Sequence, residues 1–230
     1  MAGTGSRLRG SKETIAKPLI PIAGRPLISY AIDSFARAGV RTIHAVVGPK
    51  GEELTAAVTP LLPPHMEFRA IPNPNWQKQN GVSVLAAAEK VRAPFFLAMG
   101  DHLFERSILD QLLAQADPTR LNLAIDRKIA SIFDLEDAMK VRTEGNRIVA
   151  IGKKLGDYDA IDSGIFVCPE SIFEYLRRVL REGDCSLAEG VRLMAEEGNA
   201  LAVDIGGAWW QDVDTPEMLG RAEQEATRLL

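Results

Sequence analysis

We predict from the sequence an α/β fold whose mostly parallel sheet is covered by helices on both faces. Short apolar runs rich in β-branched residues alternate with helix-like segments up to about residue 125, and this alternation is typical of parallel sheets. A hairpin pattern then follows over residues 140–151, with its turn at Glu144-Gly145-Asn146, so the predicted sheet is mixed. No linker, repeat or low-complexity stretch divides residues 1–230, which indicates a single domain.

Hydrophobic periodicity assigns the elements in chain order. The first helix covers residues 27–38, whose apolar side chains recur at helical spacing before Gly39. The last helix opens at Thr215-Pro216, because threonine is a good N-cap and proline suits the first helical position. The other predicted helices are 52–62, 82–91, 107–115, 171–181 and 186–197, and the predicted strands are 42–47, 67–71, 94–99, 121–125, 140–143, 147–151, 160–167 and 201–205.

Composition narrows the class of protein. The formal net charge of −4 argues against a nucleic-acid-binding surface. Two cysteines, Cys168 and Cys185, fit reduced thiols rather than a disulfide framework. No apolar run approaches the roughly 18 residues of a membrane span, and the glycine-rich N-terminus is unlike a signal peptide. We therefore expect a cytoplasmic protein without direct membrane insertion.

The N-terminal stretch is typical of a phosphate-binding loop. Glycines let the backbone approach an anion closely, and successive N–H groups form a concavity for phosphate. Arg7 adds a bidentate donor, while a merely flexible stretch is the alternative. Such a loop is expected just after a buried strand, so we expect either residues upstream of Met1 or Met1 as the end of that strand. The loop residues are Ala2, Gly3, Thr4, Gly5, Ser6 and Arg7.

An aspartate follows the apolar strand predicted over residues 94–99. Asp101 stands in the segment Met99-Gly100-Asp101-His102, and ligands of open α/β sheets bind beyond the carboxyl ends of strands. A carboxylate at that place can hold Mg²⁺, which prefers oxygen ligands. The alternative is that Asp101 caps the next helix, and for His102 a structural and a functional role are both open.

Two further acidic residues alternate near the C-terminus. Asp212 and Asp214 lie in the segment WWQDVDTP, which begins at Trp209, and on a strand both would point to one face. They are reasonable partners of Asp101 in completing a metal site. The alternative for Asp214 is that it only helps to cap the last helix.

A polar loop over residues 73–83 leads into a helix. Its helix N-terminus is suited to an anion or to the edge of a base, and Asn80, the Gly81 backbone and Ser83 are the candidate nucleotide-binding groups. The alternative is a connector in which Asn80 is only a helix cap.

Two segments together resemble the signature of the nucleotidyltransferases that make nucleotide sugars and CDP-alcohols. They are GTGSRL, from Gly3, and KPLIPIAGRPLI, from Lys17. The resemblance implies a Rossmann-like, GT-A-like nucleotidyltransferase fold. It also implies that the N-terminal loop and Arg7 hold the triphosphate, that Lys17 contacts phosphate oxygens and supports the transition state, and that Asp101 is a metal ligand. A W-x-D or W-x-E-x-D segment supplies the second ligand in that family, which leaves Asp212 and Asp214 unranked here.

Further segments resemble a narrower group, the CTP:inositol-1-phosphate cytidylyltransferases. They are MGDH, IDRK, AMKV, IVAIGKKL, YDAIDSGIFV and WQDVDTPE. The resemblance implies Mg²⁺-dependent transfer of CMP from CTP to a phosphorylated small alcohol, inositol 1-phosphate, giving CDP-inositol and pyrophosphate. Residues 1–125 would bind the nucleotide, and residues 126–230 would bind the acceptor and complete the metal site. The implied substrate-binding residues are Asp126, Lys128, Lys153, Asp162 and Gly164.

Several alternatives stay open. Within the class, the acceptor could be phosphocholine, an aminoalkylphosphonate or a sugar 1-phosphate. From another class, a non-catalytic nucleotide-binding regulator would show losses among Lys17 and the acidic residues, and all of these are present. The resemblance also implies a downstream membrane CDP-alcohol phosphatidyltransferase as a partner. The oligomeric state is open, with a homodimer among the options.

Overall fold

The computed structural model describes residues 16–229, which divide between two units. The strands in this part are β1 (Pro21–Ile22), β2 (Arg25–Pro26), β3 (Thr42–Val47), β4 (Glu67–Pro72), β5 (Phe95–Ala98), β6 (His102–Phe104), β7 (Leu121–Asp126), β8 (Lys140–Glu144), β9 (Arg147–Gly152), β10 (Ala160–Cys168), β11 (Ala200–Asp204) and β12 (Trp210–Asp212). The α-helices are α1 (Leu27–Arg37), α2 (Gly51–Val58), α3 (Asn80–Ala86), α4 (Ser107–Gln115), α5 (Ile172–Val179), α6 (Leu187–Glu196) and α7 (Pro216–Glu225). Short 3-10 helices lie at Lys17–Leu19, Thr59–Leu61, Ile129–Ser131 and Ala226–Leu229. The first unit comprises residues 16–77, 99–109 and 208–229, and the second comprises 78–98 and 110–207.

One core of the first unit lies between α1, α2 and a parallel strand pair. Strands β3 and β4 pair in parallel, from Thr42 opposite Glu67 to Val47 opposite Pro72. Helix α1 ends before Gly39, whose φ of +84° suits a residue without Cβ. The apolar stripe of each helix is buried against the strands, as expected for amphipathic helices. The buried cluster consists of Ile28, Ile32, Ala45, Val47, Leu54, Val58 and Met66.

A second core of the first unit lies beside the antiparallel pair β6–β12. His102 is opposite Asp212 in this pair, and the Val213 backbone N–H donates to the Asp101 carbonyl at 3.0 Å. The following helix α7 is capped by Thr215, whose hydroxyl accepts from the Met218 N–H at 3.2 Å. The pairing therefore holds the segments around Asp101 and Asp212 side by side. The buried cluster beneath it consists of Ile22, Leu27, Tyr30, Leu103, Val213, Ala222, Ala226 and Leu229.

The second unit contains a six-stranded mixed sheet with the order β5-β10-β7-β11-β9-β8. Of its pairings only β7–β11 is parallel, and β10 runs antiparallel to both β5 and β7. The mixed α/β class is confirmed, but the strand pairs in the described residues are parallel less often than predicted. Strands β8, β9 and β10 follow one another without an intervening helix, and strands joined without a crossover helix pair antiparallel.

Most predicted elements are confirmed. Strand 42–47 and helix 107–115 have the predicted bounds, and α6 begins with a capping box between Ser186 and Glu189. The helix predicted over 82–91 is shorter, because α3 ends at Ala86 and turns follow. None of the helices between residues 16 and 229 combines the length and apolar character needed to cross a bilayer.

Candidate functional site

Lys17 lies between two aspartates in the first unit. Its ammonium group donates to Asp101 Oδ2 at 2.7 Å and also to Asp214 Oδ1. Lys17 opens the 3-10 helix Lys17–Leu19, Asp101 precedes β6, and Asp214 follows β12. The β6–β12 pairing therefore supplies the carboxylates, and the lysine side chain, only 10% exposed, is held between them.

The charges of this cluster stabilise one another. Burial alone would lower the pKa of Lys17, but Asp101 and Asp214 outweigh that effect and the net shift is upward. Burial would raise the pKa of Asp101, but hydrogen bonds and charge from His102 and Lys17 place it well below its usual range. Lys17 is therefore a cation and Asp101 an anion at neutral pH.

Asp212 lies in the same neighbourhood but has a different environment. It is half-buried, and its pKa is raised by burial and then by the carboxylates of Asp214 and Asp101, against a lowering effect of His102. Its carboxylate forms no ion pair with any residue between 16 and 229. Asp101 and Asp214 thus share Lys17 while Asp212 lies nearby, and the excess of carboxylates among the described residues favours an added cation.

The carboxylates fit a magnesium ion whose coordination shell is completed by substrate. In the described part of the chain, no three His, Cys, Asp or Glu side chains are arranged to hold a metal by themselves. Mg²⁺ is commonly bound through only one or two carboxylates together with substrate phosphates and water. Asp101 and Asp212 match that pattern: Asp101 lies at the end of the connection from β5 to β6, and Asp212 forms no ion pair within the described part of the chain, whereas Asp101 and Asp214 both accept from Lys17.

The candidate base-binding residues lie in the second unit and pack against α6. The Asn80 side-chain oxygen accepts from the Leu187 N–H at 2.8 Å, so it caps α6 rather than its own helix. A Cβ on Gly81 would lie 2.6 Å from the Cys185 carbonyl oxygen, so packing alone requires glycine there. Ser83 follows in the half-buried part of α3. The nucleotide-binding role of these residues stays a prediction.

The candidate acceptor residues of the second unit form two local pairs. Buried Asp126 accepts from the Lys128 backbone N–H at 2.7 Å and from its ammonium at 2.9 Å, and that ammonium also donates to the Gly206 carbonyl. Asp162 accepts from the Gly164 N–H at 2.7 Å, at a bulge where Gly164 has a φ of +74°. In the pairing of β10 with β7, Asp162 lies opposite Ile125, next to Asp126.

Lys153 is separate from those pairs. Its exposed ammonium donates to Asp137 Oδ1 at 2.5 Å, and Asp137 was not among the predicted site residues. The structure thus brings together Asp126 with Lys128 and Asp162 with Gly164, and places Lys153 beside a different carboxylate.

Sequence reasoning missed Lys140. Its side chain is buried, and the ammonium donates to four backbone carbonyls, those of Leu135, Glu136, Ala138 and Lys153, at 2.8–3.3 Å. The only signal for this was a lysine between Met139 and Val141, inside an otherwise apolar triplet. Sequence reasoning also left His102 undecided, and the structure places that ring against Asp101. The predicted phosphate-binding residues Ala2, Gly3, Thr4, Gly5, Ser6 and Arg7 lie outside the described residues, and their roles stay predictions.

The fold defines a nucleotidyltransferase. It is similar to the solved structure of the inositol-1-phosphate CTP transferase from T. maritima, with a TM-score of 0.88 and 26% identity over 99% of this chain and 92% of that one. Residues 1–131 match the family described as MobA-like NTP transferase domain. The chain belongs to this family, and the predicted enzyme class is confirmed.

Curated relatives point in the same direction. A protein of Aquifex aeolicus named bifunctional IPC transferase and DIPP synthase is 33% identical over 96% of this chain and 49% of its own length. A protein of the same name from Rubrobacter xylanophilus is 34% identical over 97% of this chain and 50% of its own length. The chain therefore spans about half the length of these relatives.

Proposed function

We propose that this chain transfers CMP from CTP to inositol 1-phosphate, giving CDP-inositol and pyrophosphate. The observation that carries the proposal is the likeness to the T. maritima inositol-1-phosphate CTP transferase, which extends over 99% of this chain. The names of the two curated relatives support it. Because the chain spans about half of those relatives, the proposal covers nucleotidyl transfer alone.

The reaction is a displacement at the α-phosphorus of CTP. An oxygen of the inositol phosphate forms the new P–O bond, the bond from the α-phosphorus to the bridging oxygen breaks, and pyrophosphate leaves. A phosphate monoester is mostly ionised near neutral pH, since its second pKa is about 6. The reaction therefore needs no covalent nucleophile, and the protein has to neutralise charge and position two anions.

In this proposal the first unit supplies the charge stabilisation. Asp101 and Asp212 would hold Mg²⁺, which when bound neutralises phosphate charge as a Lewis acid. Lys17 would bind phosphate oxygens of the triphosphate, and Asp214 keeps its ammonium charged and in place. Arg7 and the N-terminal loop would hold the remaining phosphates, a role that rests on the family resemblance.

The second unit supplies recognition. Lys153 would exchange its surface partner Asp137 for the acceptor phosphate, and Lys128 would be its second cation. Asp126 and Asp162, which lie on neighbouring strands, would accept from inositol hydroxyls. The exposed Asn80 would offer its side-chain N–H₂ donor to a pyrimidine carbonyl, because its bond to Leu187 uses the oxygen and leaves the N–H₂ available among the described residues.

The setting is also a proposal. We place the reaction in the cytoplasm, where CTP is available, and expect the product to be consumed by a membrane CDP-alcohol phosphatidyltransferase. That next step would transfer the inositol phosphate group from CDP-inositol to an alcohol acceptor and release CMP.

A panel of substrate pairs tests the function. Pyrophosphate release is measured with Mg²⁺ for each of the four NTPs against inositol 1-phosphate, phosphocholine, 2-aminoethylphosphonate and glucose 1-phosphate. The proposal predicts turnover with CTP and inositol 1-phosphate, with kcat/KM for any other pair lower by at least about 10²-fold. A different preferred pair would retain the nucleotidyltransferase class and replace the substrate. Nucleotide binding without turnover on any pair would favour a non-catalytic regulator.

A further inference from the structure

His102 is held in a fixed orientation beside Asp101. Its Nδ1 lies 2.8 Å from Asp101 Oδ1, and its ring is stacked on Trp210 with centroids 5.7 Å apart and planes inclined by 13°. The side chain is only 14% exposed. Backbone pairing of β6 with β12 places His102 opposite Asp212, so the ring is fixed by the strand pair and by the indole.

Asp101 is consequently bound at both carboxylate oxygens. Oδ1 faces the imidazole and Oδ2 accepts from the Lys17 ammonium. A carboxylate is acceptor-only when ionised, so the imidazole must carry a proton on Nδ1 to make this bond. The two donors on opposite oxygens prevent rotation of the carboxylate about its Cβ–Cγ bond.

We infer that His102 is a positioning residue that fixes the Asp101 carboxylate for metal binding, and that Trp210 holds the imidazole for this task. The inference rests on the proposed role of Asp101 in the proposed function. Hydrogen-bond partners of metal-ligating groups orient those groups, and their loss typically costs about 10–100-fold in metal affinity or activity. His102 acts through Asp101, so its effect is on the metal affinity.

The test uses two amide variants that differ in the distance of the amide nitrogen from Cα. In His102→Asn the side-chain nitrogen is as many bonds from Cα as Nδ1, so it can still donate to Asp101. In His102→Gln the amide nitrogen is one bond further away, at the distance of Nε2. Mn²⁺ binding is measured by the loss of its free EPR signal, in the presence of CTP whose α,β-bridging oxygen is replaced by methylene.

The inference predicts that His102→Gln weakens Mn²⁺ binding about 10–100-fold, and His102→Asn no more than about threefold. His102→Phe, which retains the stacking on Trp210 without a donor, is expected to match His102→Gln. Circular dichroism and thermal unfolding check that each variant folds. If one does not, the remaining non-donor variant is compared with His102→Asn, and Trp210→Leu, predicted to weaken binding less than His102→Gln, gives an independent comparison.

The inference would be overturned by equal Mn²⁺ affinity in the wild type, His102→Gln and His102→Phe, or by equal losses in the Asn and Gln variants. Absence of Mn²⁺ binding by a wild type that turns over CTP would also overturn it, while the proposed function would stand. Loss of Mn²⁺ binding in His102→Gln, combined with turnover of another substrate pair, would support the inference and reject the proposed substrate.

Discussion

Two lysines whose side chains are little exposed, one in each unit, have opposite kinds of partner. Lys17 of the first unit donates to the carboxylates of Asp101 and Asp214. Lys140 of the second unit donates to four backbone carbonyls and to no carboxylate in the described part of the chain. Burial is similar, since the Lys17 side chain is 10% exposed and Lys140 is 8% exposed.

The difference teaches that the partners of a buried charge, rather than its burial, indicate its role. An ammonium group has three donors, and four carbonyls already occupy those of Lys140. These carbonyls carry no net charge. They belong to residues 135–138 and to Lys153, and the lysine links these two segments by hydrogen bonds. Around Lys17, in contrast, three aspartates leave excess negative charge and carboxylate oxygens that a metal ion would use. We therefore place Lys17 in the proposed reactive site and Lys140 in the framework.

The largest effect is expected from Asp101→Asn. Because this substitution removes the charge that binds both Lys17 and the proposed metal, kcat/KM should fall about 10³-fold or more. Steady-state pyrophosphate release with CTP and inositol 1-phosphate measures it, and circular dichroism checks the fold. Activity within about tenfold of the wild type in a folded variant would remove Asp101 from the site.

The Asp212→Asn and Asp214→Asn variants separate the roles of the two aspartates near Lys17. Asp212 has no cation partner in the described residues, so its substitution should raise the Mg²⁺ concentration for half-maximal activity about 10–100-fold. Asp214 acts on Lys17, so its loss should lower kcat about tenfold, the equivalent of one charge-assisted hydrogen bond, with little change in the Mg²⁺ requirement. The opposite pattern would exchange the two assignments.

Lys140→Met tests whether Lys140 stabilises the fold. The substitution leaves four carbonyls without their donor, and the free energy of unfolding should fall by about 2–4 kcal/mol. Urea unfolding measures it. A small change in stability with a large loss of turnover would move Lys140 into the reactive site.

Lys153→Met is the matched control for Lys140→Met. Its surface ion pair with Asp137 should contribute under about 1 kcal/mol to stability. The KM for inositol 1-phosphate should rise about tenfold, because a charge-assisted contact to phosphate is lost. Unchanged KM would exclude Lys153 from acceptor binding.

Gly81 tests packing in the second unit, with no loss of charge. An added Cβ would lie 2.6 Å from the Cys185 carbonyl oxygen and 2.9 Å from Cys185 Sγ, and overpacking of this kind costs about 1–3 kcal/mol. Gly81→Ala should therefore lower the unfolding midpoint, whereas Gly156→Ala, where a Cβ meets open space, should change stability by less than about 0.5 kcal/mol. Equal midpoints for the two variants would contradict the packing account.

The sequence predicted elements well wherever periodicity and end signals agreed. Strand β3 and helix α4 have the predicted bounds, and the Thr215 N-cap of α7 was read directly from Thr215-Pro216. The helix predicted over 82–91 was too long, because alanine favours helix while offering little apolar surface to bury. The parallel share of the sheet was overestimated, because β10 inserts between β5 and β7 and runs antiparallel to both.

For the site, the sequence identified residue types but not their pairing. Asp101 follows a strand and Lys17 stands in a recognisable segment, yet only the β6–β12 pairing shows that Lys17 is shared with Asp214. The partners of Lys140 could not be predicted. They are backbone carbonyls, which every residue has, so the residue types do not show which of them accept a hydrogen bond. Nor could the sequence show that Asn80 caps α6, since Leu187 is distant in the chain.

Phosphorus NMR of the complete reaction tests the central claim most directly. CTP, inositol 1-phosphate and Mg²⁺ are mixed with the protein, and the spectrum is followed over time. The account predicts that the CTP and phosphomonoester signals disappear together while a diphosphate diester and pyrophosphate appear in equal amounts. No diester signal with inositol 1-phosphate, under conditions in which the protein forms one from another phosphorylated alcohol, would contradict it.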